Sequence, residues 1–448
     1  MSQPASDGTA EHPAIDPVAT LRSKSYIGAL VLATLAGAPI SAIAYGFLVL
    51  VTVLEDAVFK DLPEEIFTGT TPAWWPVPWL ALAGVLTAAT IRYLPGNAGH
   101  SPALGFQMSG GPPVIRELPG VTMAALATLS LGVVLGPEAP LIAIGGGLGA
   151  LAVRLTKKDA PPMAATIMAS AGSFAAISTL LGSPLLGAFL IMEAAGLTGA
   201  TLSLVALPGL LASGTGALVF VGLDDWTGLG NFSLALPSVP PGDPPTVATL
   251  SWGVPMGVAC ALLCWLILWI ARWLRPLVHR NRMLVTTALG LLIGVTAMGY
   301  QLVSDEAFTL VLFSGQEALP DLVEHATGAT TGAMLLLVAC KSLAYGMSLS
   351  AFRGGPVFPA LFIGGGLGIA ASGLPGMDLA PAIGMGIGAM SCAMLRLPLT
   401  ATLLAVILMG KDGVLVTPQV IVAVVTAFVT IHALPDPGPA EAPTAEPR

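Results

Sequence analysis

Long apolar blocks, broken by short polar or Gly/Pro-rich turns, run along almost the whole chain. Blocks long enough to cross a hydrocarbon layer of roughly 30 Å lie at 26–54, 73–93, 163–195, 197–222, 248–274, 284–303, 331–351 and 378–409. None alternates apolar and polar residues as barrel strands do, and backbone groups in lipid must be satisfied internally, so these blocks predict helices. Roughly eight to ten full crossings are expected, with several half-helices between them. The fold class is an all-α polytopic membrane protein.

One apolar helix start occurs twice in this pattern. Gly-Pro-Glu-Ala-Pro-Leu-Ile-Ala-Ile-Gly-Gly-Gly-Leu-Gly-Ala fills 136–150, and Gly-Pro-Val-Phe-Pro-Ala-Leu-Phe-Ile-Gly-Gly-Gly-Leu-Gly-Ile fills 355–369. The likeness extends in both directions. Residues 126–132 run parallel to 340–346, and each copy is followed by a Gly/Ala/Ser-rich helix and then a proline-started one, at Pro184 and at Pro398. Two homologous, inverted repeats are therefore expected at 26–222 and 248–434. A connector at 223–247 joins them, and polar tails at 1–25 and 435–448 flank them. Such repeats bring broken helices together near the membrane midplane, where transported ions sit. Each Gly/Pro turn also leaves a helix N-terminus, with its unpaired N–H groups, inside an apolar protein, a setting that favours an anion.

Composition narrows the class further. Only 9% of residues are charged and the mean hydropathy is +0.85, against about 25% charged in a soluble protein. The first 25 residues are polar, with no short apolar region and cleavage signal after them, and read as a cytoplasmic tail. Basic residues cluster at Arg22 and Lys24, at Arg154, Lys157 and Lys158, and at Arg272, Arg275, Arg280 and Arg282, which the positive-inside rule places in the cytoplasm. Segments 223–247 and 304–330 carry no Lys or Arg and are expected outside. The expected location is the plasma membrane, with the N-terminus cytoplasmic. Cys260, Cys264, Cys340 and Cys392 lie in apolar segments without neighbouring ligands and read as packing residues. No metal, cofactor or nucleic-acid partner is expected.

Few residues within the blocks can carry chemistry. Between 118 and 223 the acids are Glu138, Glu193 and the loop residue Asp159. An intramembrane carboxylate is a functional candidate, and Glu138 opens the first repeated helix, where it can compete with an anion for helix N–H groups. That makes it a candidate gate or proton carrier. A third Gly/Pro turn, 96–102, offers Asn97, His100 and Ser101, with Pro102 suited to start a helix and Ser101 to cap it. Arg353 could add positive potential or pair with a carbonyl, while Lys341 and Arg396 read as snorkelling or packing charges. No His-Glu-x-x-His, membrane serine–histidine pair or aspartate pair is visible, which leaves an intramembrane enzyme as a remote alternative.

The three turns, Gly96 to Pro102, Gly136 to Pro140 and Gly355 to Pro359, resemble the ordered motifs of the CLC family of chloride channels and chloride/proton antiporters over roughly residues 30 to 430. The resemblance implies a homodimer with one anion path per subunit and Glu138 as the gating glutamate. It also implies anion contacts from Ser101 or Asn97 and from the backbone around Gly136, Pro137, Ala139, Gly355, Val357, Phe358 and Pro359. The family's inner proton-path glutamate falls on Ala194, with Glu193 beside it as a possible relay, and its late tyrosine has no counterpart after Tyr345. These departures favour a Glu138-gated conductance for chloride or a similar small anion. A chloride/proton antiporter and a fluoride exporter are the alternatives.

Overall fold

The computed structural model describes residues 21–106, 115–157, 159–227, 236 and 245–438. Most of the 1–25 tail, Lys158, most of the 223–247 connector and the end of the 435–448 tail lie outside the described residues. In the first half, α1 (Lys24–Asp56) starts at Ser23, whose hydroxyl accepts from the Tyr26 N–H at 3.2 Å. It is followed by α2 (Pro76–Tyr93), α3 (Leu118–Leu129), α4 (Glu138–Thr156), α5 (Pro162–Leu181), α6 (Pro184–Ala194) and α7 (Gly199–Thr227). The second half runs α8 (Val247–Arg280), α9 (Arg282–Ser304), the short α10 (Ala318–Glu324), α11 (Thr331–Ala351), α12 (Val357–Ala371), α13 (Leu379–Leu395), α14 (Pro398–Leu408) and α15 (Gly413–Ala433).

Among the described residues, eight helical segments are long and apolar enough to cross a membrane, and four shorter apolar helices, α6, α12, α13 and α14, accompany them. The expected crossing at 73–93 forms α2, which falls outside those eight, whereas the stretch Gly410–Ala433 is one of them. Two blocks continuous in hydropathy are broken where proline-started helices were expected, at Pro184 and Pro398. Block 163–195 turns at Gly182, with φ 60°, and block 378–409 turns at Arg396, with φ 59°. A left-handed residue ends each first helix, and a proline two places later opens the next. Hydropathy does not register the breaks, because both pieces are apolar.

The two halves repeat the same packing. Helix α1 lies on α5 and α7, as α8 lies on α13 and α15, and α4 packs along α5 as α12 packs along α13. In both helix pairs the backbones approach where a Cβ cannot fit: at Gly145 it would meet the Gly172 carbonyl oxygen, and at Gly364 that of Gly386. This close approach is how membrane helices gain packing without a hydrophobic drive. Across the halves, α2 lies along α9 and α6 meets α14.

Candidate anion site

Glu138 stands in the first turn of α4 and is wholly buried. Its side chain reaches the other repeat: Oε1 accepts a 2.9 Å hydrogen bond from the N–H of Phe358, in the first turn of α12. The unpaired N–H groups and the positive end of the helix dipole make that turn favourable for a carboxylate. Oε2 has no hydrogen-bond partner among the described residues.

The two turns are joined at equivalent residues. The Gly136 N–H donates to the Gly355 carbonyl at 2.8 Å, and the Gly355 N–H donates to the Gly136 carbonyl at 2.6 Å, as an antiparallel bridge. Such reciprocity between matching positions is what a two-fold relation between inverted repeats produces. A Cβ on either glycine would run into the Glu138 carboxylate, so the cradle requires hydrogen at both places. The amides of Gly136 and Gly355, expected as anion contacts, are thus committed to each other, and Pro137 and Pro359 carry no N–H. These four residues shape the turns. Phe358 is the donor in use, Val357 opens the same helix, and Ala139 belongs to the facing turn.

The first motif departs from the expected helix start. Pro102 opens only a three-residue 3-10 turn, Pro102–Leu104, and the Ser101 side chain makes no capping bond. The cause lies in the backbone, which runs left-handed through Gly96, Asn97, Ala98 and Gly99 and again at Gly105, where the turn stops. Asn97 nevertheless reaches the third motif. Its carbonyl accepts from the Arg353 Nε at 3.3 Å, while Arg353 Nη1 donates to the Phe352 carbonyl at 3.2 Å. Arg353 thus pairs with carbonyls and is buried. Ser101 is half-buried in a turn that packs against α8 and α11. Among the described residues, no hydrogen bond joins the Asn97 or Ser101 side chain to Glu138 or Phe358.

Glu193 also crosses between repeats. Its Oε1 accepts from the Leu399 N–H at 3.0 Å, and its Oε2 accepts from the Thr400 N–H at 2.7 Å and the Thr400 hydroxyl at 2.6 Å. It therefore caps α14. In the first half the equivalent helix, α6, is capped locally by Ser183, whose hydroxyl accepts from the Leu186 N–H at 3.3 Å. The structure thus gives both acids the same relation to the other half, each on a helix start.

Two residues near the site were not expected from sequence. Tyr345 is buried in α11, and its hydroxyl donates to the Pro356 carbonyl at 2.7 Å, at the cap of α12. Lys341, read as a snorkelling or packing charge, is completely buried. Its ammonium donates to the carbonyls of Leu310, Val311, Leu312 and Phe313 at 2.9, 3.3, 2.8 and 3.4 Å and lies 4.3 Å from the centre of the Phe362 ring. The available signal was the repeat itself, since Lys341 and Tyr345 replace Ala127 and Leu131 in otherwise similar segments. Arg396 is exposed at the break between α13 and α14. A cavity of about 280 Å³ adjoins the site, lined in part by Leu135 and Pro137, immediately before Glu138, and by Leu312, Phe313 and Gly315.

The inverted repeats and their paired helix starts define a multi-pass membrane transport fold. Residues 90–431 match the family model described as voltage gated chloride channel, and the chain belongs to this CLC family of anion transporters, which are not enzymes. YfeO of Escherichia fergusonii, whose name assigns it to ion transport, is 28% identical over 358 residues, 78% of this chain and 79% of that protein. Among solved structures, a slow cyanobacterial Cl⁻/H⁺ antiporter superposes with a TM-score of 0.69 at 20% identity, covering 91% of this chain and 95% of that one. A CLC-type fluoride/proton antiporter superposes with a TM-score of 0.69 at 17% identity, covering 92% and 97%.

Proposed function

We propose that this member of the family is a Glu138-gated conductance for chloride or a similarly small anion, with the seat at the N-terminus of α12. The observation that carries this reading is the 2.9 Å bond from the Phe358 N–H to Glu138 Oε1. An anion and the carboxylate want the same donor and the same positive helix end, so only one can hold it at a time. Moving the carboxylate away frees the donor, and protonating it weakens its hold from a charged to a neutral hydrogen bond. Val357 and Phe358 are then the backbone contacts, with Ala139 on the facing turn. The link from Arg353 to Asn97 brings the first-motif loop, with Ser101, to the same region and adds positive charge.

Passive conduction is favoured over proton coupling by what Glu193 does. Its two oxygens accept three hydrogen bonds from the start of α14, so the side chain is committed as a helix cap, which suits a fixed structural role better than a proton relay. Ala194 stands where the resemblance calls for the inner acid. A homodimer in the plasma membrane, with the N-terminus cytoplasmic, completes the reading.

The test is flux from vesicles with the purified protein, recording anion and pH together. Anion efflux without stoichiometric proton movement is expected. Proton movement locked to anion flux and abolished by Glu138→Gln would replace this reading with the antiporter.

A further inference from the structure

The cavity beside Pro137 has an unfavourable charge for an anion. Glu55, Glu317 and Asp321 line it together with Lys60, and the Lys60 ammonium is already 2.6 Å from Asp56. An anion passing between this cavity and the Glu138 seat meets a net negative rim. Behind the cavity wall stands Lys341, completely buried and, among the described residues, without a carboxylate at ion-pair distance. Its neighbours are the carbonyls of residues 310–313 and the face of Phe362. Carbonyl dipoles and a ring face solvate an ammonium, but they do not cancel its charge.

The cage is part of the path's wall. Leu312 and Phe313, whose carbonyls bind Lys341, line the cavity. The Phe313 N–H donates to the Gly132 carbonyl at 3.2 Å, in the segment leading to Glu138, and Phe362 belongs to the helix whose start holds the Glu138 carboxylate. Glu55 lines the same cavity as Leu312 and Phe313, so only the wall that Lys341 holds through their carbonyls stands between the two side chains.

We infer that Lys341 is a positioning and charge-balancing residue of the anion path. It fixes the 308–315 wall through four carbonyls, and its charge offsets that of Glu55 so that anions enter from the cavity. This rests on the path through the Glu138 seat proposed above.

Lys341→Met, Glu55→Gln and the double variant, each in the full chain in oriented vesicles, test it. One unit charge acting over about 10 Å through an effective dielectric constant near 20 amounts to roughly a tenfold effect. Lys341→Met is therefore expected to raise the half-saturating anion concentration on the cavity side roughly tenfold, with little change on the other side. Adding Glu55→Gln recovers most of that shift, which a merely mechanical clamp would not allow. A fall in maximal flux with unchanged half-saturation, or no recovery in the double variant, overturns the inference. If Lys341→Met does not fold, Glu55→Gln alone decides: it must lower the half-saturating concentration on the cavity side, and no change refutes the charge balance. Failure of the gate shows separately, as an unaltered flux in Glu138→Ala, while the Lys341 shift remains measurable.

Discussion

Replacing Glu138 tests the gate directly, because the carboxylate and the anion compete for one donor. Oε1 accepts from the Phe358 N–H at 2.9 Å inside a wholly buried site. A hydrogen bond to a charged group contributes about 1.5–3 kcal/mol net, which holds the seat closed by roughly 10- to 100-fold. Glu138→Ala removes that competitor and is expected to tighten apparent anion binding by the same factor. Glu138→Gln keeps a neutral acceptor worth about 0.5–1.5 kcal/mol, so its gain should be smaller, roughly fivefold. Calorimetric titration of the detergent-solubilised protein with chloride, fluoride and nitrate measures the order wild type, then Gln, then Ala. Vesicle efflux should follow the same order, and its dependence on pH should weaken in both variants. Equal affinities in all three proteins would refute the competition, and an inverted order would mean that the carboxylate helps to hold the ion.

Four further outcomes follow from the same geometry. In Gly355→Ala, the Cβ occupies the place of the Glu138 carboxylate, so efflux should rise toward that of Glu138→Ala, and Gly136→Ala should act alike. Glu193→Ala strips three accepted bonds from the start of α14; at a half-exposed site this should cost about 2–4 kcal/mol, seen as a lower thermal midpoint in detergent, with no change in the ratio of protons to anions moved. Tyr345→Phe removes the 2.7 Å bond to Pro356 and should destabilise the protein by about 1 kcal/mol. Burial raises the pKa of Glu317 above the usual carboxylate value, with Lys60 opposing and Asp56 adding to the shift. Its neutral form is therefore the one the fold prefers, and the contribution it makes at low pH is lost as pH rises through the raised value. Glu317→Gln should then raise the thermal midpoint at pH 8 and leave it unchanged at pH 4.

The legibility of this chain follows the range of its interactions. Apolar run length and the residues Gly, Pro, Ser and Thr act within a turn or two, so the helices, the starts at Glu138 and Val357 and the repeat could be read directly from sequence. The class was legible for the same reason: the ordered Gly/Pro turns stand at fixed places in the chain. Local signals failed where a backbone detail overrode them. Ser101 and Pro102 form a favourable helix start, yet the left-handed run through 96–99 and Gly105 permits only a 3-10 turn. In blocks 163–195 and 378–409 hydropathy alone passes over the breaks at Gly182 and Arg396, which only the prolines at 184 and 398 mark in the sequence.

What each buried charge touches was decided only when the halves came together. The sequence placed Glu138 at a helix start, but its partner Phe358 lies 220 residues away, and Glu193 meets a helix start more than 200 residues on. Lys341 looked like a charge that escapes to an interface. Packing instead wrapped it in the carbonyls of residues 310–313. A buried charge must find compensation, and local sequence shows only that a charge is present. Which dipole, ring or helix end supplies that compensation depends on how two inverted repeats pack face to face.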